Sequence, residues 1–113
     1  MEAPMSMDAP IRLSKKSRIL LPPAAVVSCR RGGASAAFDR LNKYFTINNM
    51  PVVSSQYWNI IHGRLPGEAA QDAEGLQIMR TLGKNMAWLL KNIKAGAQPL
   101  PETEERQITN FIR

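Results

Sequence analysis

A chain of 113 residues with 44% hydrophobic content is one domain at most, and a small one. No run approaches the roughly 18 consecutive apolar residues of a helical membrane span, which removes the membrane from the expected partners. The single cysteine, Cys29, excludes an intrachain disulfide and any metal or cluster site built from this chain's cysteines alone, and it fits a reducing, cytoplasmic setting. The formal charge of +6 is uneven: six of the 15 basic residues, Arg12, Lys15, Lys16, Arg18, Arg30 and Arg31, fall in the first 31 positions against Glu2 and Asp8. A nucleic-acid reading would need aromatic residues interleaved with the charge or a recognisable binding module, and the sequence has neither.

Residues 1–23 read as an irregular, disordered leader. Charge sits directly before a short Ile19-Leu20-Leu21 run, which is not the order of a signal peptide. Residues 24–113 read as the folded part. Ala24-Ala-Val-Val-Ser28, bounded by Pro22-Pro23 and by Arg30-Arg31-Gly32-Gly33, is a buried strand by length and punctuation. The turn after it offers two glycines where backbone can approach a partner closely, and two arginines able to bond carbonyl or phosphate oxygens. The plainer alternative is a strand-to-helix turn with solvated arginines.

From Ala34 to Phe45 the apolar positions 34, 37, 38, 41, 44 and 45 form one helical face, with Phe38, Leu41, Tyr44 and Phe45 assigned to the core. Asn48-Asn49 turns the chain into a second strand at Val52-Val53, which opens into the loop Ser54-Ser-Gln-Tyr-Trp-Asn59. Tyr57 and Trp58 each combine an apolar face with one polar handle and suit a flat, partly polar ligand. Trp58 reads equally as a plug at the edge of the core. The only histidine, His62, lies in a turn-rich segment with no triad partner in sequence, so no catalytic side chain and no metal ligand is expected.

Asp72 to about Ala95 carries the longest helical pattern. Leu76, Met79, Leu82, Met86, Leu89, Leu90 and Ile93 recur at three- and four-residue steps, Asp72 suits the N-cap, and Gly96 suits the stop. Gly75 and Gly83 inside it imply close packing on the sheet or on a second subunit. The width of the stripe suggests a homo-oligomer through this helix. Ile108, Phe111 and Ile112 suggest a C-terminal tail that docks.

Four segments together carry a resemblance: Ser28-Cys-Arg-Arg-Gly-Gly33, Pro51-Val-Val-Ser-Ser-Gln-Tyr-Trp-Asn59, Asp72-Ala-Glu-Gly-Leu-Gln-Ile-Met-Arg80 continuing to Leu82-Gly-Lys-Asn-Met-Ala-Trp88, and Thr109-Asn-Phe-Ile-Arg113. In this order they resemble the C-terminal half of the flavodoxin-like NADPH-dependent FMN reductases, a group that includes the iron-sulfur flavoproteins. The resemblance implies an α/β fold, half of a doubly wound parallel sheet with two strands and two main helices, and FMN at the carboxyl ends of the strands. It implies an NAD(P)H-dependent FMN oxidoreductase whose redox chemistry belongs to the flavin, with NAD(P)H and an electron acceptor as partners.

By the same resemblance, Ser28, Cys29, Arg30, Arg31, Gly32 and Gly33 from one turn and Ser55, Tyr57, Trp58 and Asn59 from the other bind the cofactor. The two turns are expected at one rim of the sheet, facing a shared planar guest, and the tail is expected to take part in subunit association. A complete fold of this kind needs five strands, and no Gly/Ser/Thr-rich phosphate loop occurs between Met1 and Pro23, so the chain is expected to be truncated. The rival is a non-enzymatic flavodoxin-like fragment without bound FMN, its exposed sheet edge available for interaction. A small basic nucleic-acid binder ranks last.

Overall fold

A computed structural model describes residues 21–112. The elements run β1 (Val27–Cys29), α1 (Ala34–Ile47), β2 (Ile60–His62), a 3-10 turn (Ala69–Gln71) and α2 (Ala73–Gly96). β1 and β2 pair in parallel with Val27 opposite Ile60, Ser28 opposite Ile61 and Cys29 opposite His62. The result is a β-α-β-α half of a flavodoxin-like sheet. α1 packs on both strands and α2 on β2. Most of the leader lies outside the described residues. Among those described, no helix is long and apolar enough to cross a membrane.

The second strand is not where the β-branched pair Val52-Val53 suggested. That segment is extended, and the Val53 amide donates to the Pro23 carbonyl at 2.9 Å, but no ladder grows from this bond. Pro22, Pro23 and Pro51 have no amide hydrogen, so the donors that would continue the pairing are missing. Ile60-Ile61, equally β-branched and free of proline, takes the pairing instead: the Val27 amide donates to Asn59 O and the Gly63 amide to Cys29 O, both at 3.0 Å. β1 likewise begins at Val27, three residues later than the sequence implied, although Ala25 just before it is buried.

Asn59 is the most deeply buried polar residue, 2% exposed. Its side-chain amide donates to the Ala25 carbonyl at 2.9 Å, and its Oδ1 lies 2.6 Å from Ser55 Oγ. Ser55 Oγ also lies 2.8 Å from the Tyr57 carbonyl, so its one proton serves one acceptor at a time. Across Asn59 the Ile60 amide closes a tight three-residue turn onto the Trp58 carbonyl at 2.7 Å. The aromatic loop is thereby closed on itself through Ser55 and Asn59, and Asn59 ties it to the backbone just before β1.

The core is small: Ala25, Ala34, Phe38, Val53, Ile60, Ile78 and Leu82. Of the α1 residues assigned to it, Phe38 is buried, Phe45 half-buried, and Leu41 and Tyr44 are exposed. Of the α2 stripe, Leu82 is buried, Leu76, Met79, Met86, Leu89 and Ile93 are half-buried, and Leu90 is exposed, as is Trp88 beside it. A two-stranded sheet ends before the helix does. Gly75 meets the close packing expected of it, since a Cβ there would come within 2.9 Å of Ile61 Cγ1, whereas Gly83 faces open space. The helix continues through Gly96, and Ala97 supplies the left-handed stop at φ 46°. The tail does not dock on its own chain: Ile108, Phe111 and Ile112 are each more than four-fifths exposed, at 81, 88 and 89%.

Replacing Asn59 by alanine strands the Ala25 carbonyl and leaves Ser55 only the Tyr57 carbonyl to bond. We expect a loss of about 1–3 kcal/mol in urea unfolding, against a far smaller loss for Asn85→Ala, whose bond to the Ser54 carbonyl is exposed. Equal losses for the two would show that the buried amide is not the tie described.

Candidate functional site

Between the starts of the two helices lies a cleft of about 590 Å³, within the range of small-molecule sites. One wall is the turn after β1, Arg31, Gly32 and Gly33, continuing into Ala34, Ser35 and Ala36 at the start of α1. Gly33 has φ 84°, a left-handed conformation that a side chain would strain. Among the described residues, the immediate chain neighbours aside, no atom lies within 4 Å of the Cβ position at Gly32 or Gly33, so the space beside these glycines is open. α1 has no side-chain cap, and its first-turn amides therefore lack a side-chain acceptor beside Arg31.

The facing wall is aromatic. Tyr57 and Trp58 are stacked with ring centroids 5.8 Å apart and planes 22° apart, and Trp58 also meets Phe38 at 5.9 Å. Phe38 is buried in the core, and Trp58, which lines the cleft, is 52% exposed. By strand register these aromatics precede β2, whereas the glycines follow β1, so the two turns belong to opposite ends of the paired segment and not to one rim. They share a cleft because the strands are only three residues long, about 10 Å, and because α1 folds back to set Phe38 against Trp58.

The floor and the far end are built from Ile60, His62, Asp72, Glu74, Gly75 and Ile78. Asp72 does more than cap α2. Its Oδ1 accepts from the Gly75 amide at 2.9 Å, while Oδ2 accepts from the His62 amide at 2.8 Å and lies 3.6 Å from His62 Nδ1. The two amide donors, Gly75 first and then His62, hold the Asp72 carboxyl below its ordinary value, with the nearby imidazole adding to the effect.

Of the sequence-predicted residues, Arg31, Gly32, Gly33, Tyr57 and Trp58 line this cleft, while Ser28, Cys29, Arg30, Ser55 and Asn59 do not. Ser55 and Asn59 border a smaller hollow of about 260 Å³ behind the aromatic loop, together with Asn42, whose Oδ1 is buried without a hydrogen-bond partner. His62 and Asp72 were missed as a pair, and so was Glu74. Asp72 was legible as a cap, but its second bond reaches back ten residues to a strand whose position sequence reasoning had misassigned.

Over 96 residues the chain is 31% identical to an iron-sulfur flavoprotein of Methanocaldococcus jannaschii, an alignment covering 80% of this chain and 50% of that protein. The chain thus spans half the length of the curated relative it matches. No protein-family profile and no solved structure matches it.

A carboxyl held low in the folded state contributes stability above its unfolded pKa and loses it as pH falls through the folded one. For Asp72 the contribution is therefore present at neutral pH and disappears on acidification below the ordinary value of 3.8. Asp72→Asn keeps a capping oxygen but removes the charge, so its urea midpoint should lie below wild type at neutral pH and converge on it at strongly acidic pH. A gap that stayed constant across that range would show that the charge plays no part.

Proposed function

We propose that the chain is the C-terminal half of a flavodoxin-like, NAD(P)H-dependent FMN oxidoreductase, with residues 24–113 as a partial flavodoxin-like domain following the leader 1–23. The observation that carries this reading is the single cleft shared by the Gly32-Gly33 turn and the Tyr57-Trp58 pair, a slot with an aromatic wall opposite an open backbone wall. Similarity to a flavoprotein supports a flavin as the guest. The choice of FMN, and of NAD(P)H as donor, rests on the family resemblance of the four segments.

The residues present fit a planar ring. Tyr57 and Trp58 offer a half-exposed stacked surface for it, and the side-chain-free backbone of Gly32 and Gly33 leaves room for its edge to come close. Arg31 and the uncapped start of α1 supply donors and positive potential for carbonyl or phosphate oxygens. Ser55 and Asn59 hold the aromatic loop in place, and Ser28, Cys29 and Arg30 form the strand and turn that deliver Arg31. Bound FMN would supply the hydride and electron transfer. What the chain contributes is binding, orientation and partial exclusion of water.

The iron-sulfur part of the relative's name does not extend to these residues. They contain one cysteine, Cys29, and among the described residues no group of three or more metal-type side chains comes together. We place the protein in the cytoplasm on the strength of its cysteine usage. An electron acceptor is the further partner that the family resemblance implies.

Purified protein titrated with FMN should quench flavin fluorescence at saturation, and Trp58→Ala should weaken binding about tenfold, the scale of one lost aromatic stack. Anaerobic addition of NADPH to the complex should bleach the flavin. Failure to bind FMN overturns the flavin reading, and binding without bleaching overturns the oxidoreductase part alone.

The exposed Trp88 and Leu90 on α2, with the undocked Ile108, Phe111 and Ile112, support association between copies of this chain. Sedimentation at micromolar concentration should then show a dimer or larger species, reduced to monomer by deletion of residues 106–113. An unchanged size after deletion would remove the tail from the interface.

A further inference from the structure

His62 is the one imidazole of the chain, and the cleft places it where the flavin reading alone gives it no role. Its backbone amide is pinned by Asp72 Oδ2 at 2.8 Å, and its Nδ1 lies 3.6 Å from the same oxygen. Asp72 is itself fixed, being the cap of a 24-residue helix through the Gly75 amide. One ring nitrogen therefore lies beside a carboxylate. Among the described residues no hydrogen bond engages the other, Nε2, on a side chain that lines the cleft and is 51% exposed.

This arrangement has a chemical consequence. With the imidazole neutral, the carboxylate favours the proton on Nδ1, so Nε2 can only accept. With the imidazole protonated, Nε2 becomes a donor, while Nδ1 stays beside the Asp72 carboxylate at 3.6 Å. Protonation thus changes what the cleft offers a ligand, without moving the backbone. The other groups that face the same space are Asp72 and Glu74 from α2, Arg31 from the turn after β1 and Tyr57 from the aromatic loop. The two carboxylates support the charged imidazole, and Arg31 opposes it.

We propose that His62, oriented by Asp72, is a specificity residue that donates from Nε2 to the acceptor-bearing edge of a planar ring lying against Tyr57 and Trp58, so that ligand affinity follows its protonation. The proposal rests on the flavin reading, because the pyrimidine end of a flavin is the kind of edge concerned, rich in carbonyl and ring-nitrogen acceptors. Binding is then tighter when His62 is charged, and the affinity falls as pH rises through the imidazole range.

The lone histidine makes the test direct. Riboflavin and FMN are titrated into wild-type protein and into His62→Gln between about pH 6 and about pH 8, the interval over which imidazoles change charge, following flavin fluorescence. In parallel, the single imidazole signal of ring-labelled protein is followed by NMR with and without ligand. Wild type should lose riboflavin affinity about tenfold over that interval, the scale of losing one charge-assisted bond. His62→Gln, which keeps a non-titrating donor, should show a flat profile, and bound riboflavin should move the wild-type imidazole midpoint upward. Riboflavin is needed because the FMN phosphate itself titrates near pH 6. A pH dependence seen with FMN but not riboflavin, or equal profiles for wild type and variant, or an imidazole midpoint unmoved by bound ligand overturns the role of His62 and leaves the flavin reading intact. Absence of binding by either flavin at every pH overturns both.

Discussion

The fold depends on one buried carboxamide. Asn59 sits at the entrance to β2, and among the described residues it is the one fully buried polar side chain, able to donate and accept at once. Its amide reaches the backbone before β1, its oxygen receives Ser55 from the start of the aromatic loop, and its own carbonyl takes the Val27 amide that opens the parallel pairing. A strand pair of three residues has too few ladder bonds to fix its own register. The carboxamide fixes it from outside the ladder. Because Trp58 is covalently next to Asn59, whatever sets the one sets the other, and the aromatic wall inherits its position from a residue that never touches the cleft.

A second polar tie works at the other end of β2. Asp72 accepts from the last strand residue and from the first turn of α2, so one carboxylate joins a strand to the helix that follows ten residues later. Gly75 is what allows this: any side chain there would run into Asp72 and Ile61. The glycine that costs helix propensity is the condition for the cap and the strand to share an acceptor. It also keeps the end of the cleft open between His62 and the helix.

The helices were legible because nothing competed with their 3.6-residue period, and Asp72 was legible because capping is local chemistry. The strands were not, and the reason is particular. Val52-Val53 and Ile60-Ile61 have the same propensity, and the choice between them falls to the amides of their partner, which Pro22 and Pro23 do not have. A pattern search weighs side chains, whereas the decision lay in missing backbone donors. Burial was half legible for a related reason: an amphipathic stripe states which face is apolar but not how much sheet there is to cover it. Leu41, Tyr44, Leu90 and Trp88 lie on or beside apolar faces that run past the two strands. The aromatic turn and the diglycine turn were readable as chemistry, yet the route by which they meet was not, since it runs through Phe38 on α1 and not along one rim.

The cleft's dependence on polar anchors follows from the same shortage of sheet. A core of seven side chains, two of them alanine, offers little apolar burial to hold three separate walls. Dispersion and hydrophobic terms fix the approximate distance between elements but tolerate sliding, whereas a buried hydrogen bond fixes direction and is costly to leave unmade. Each wall is accordingly set by a directional constraint: the aromatic pair by Asn59 and Ser55, the imidazole end by Asp72, and the glycine wall by the left-handed turn at Gly33. A ligand entering such a site meets groups already aimed, so its binding energy is not spent on ordering them. The small core and the defined cleft are therefore compatible, because different forces are responsible for them.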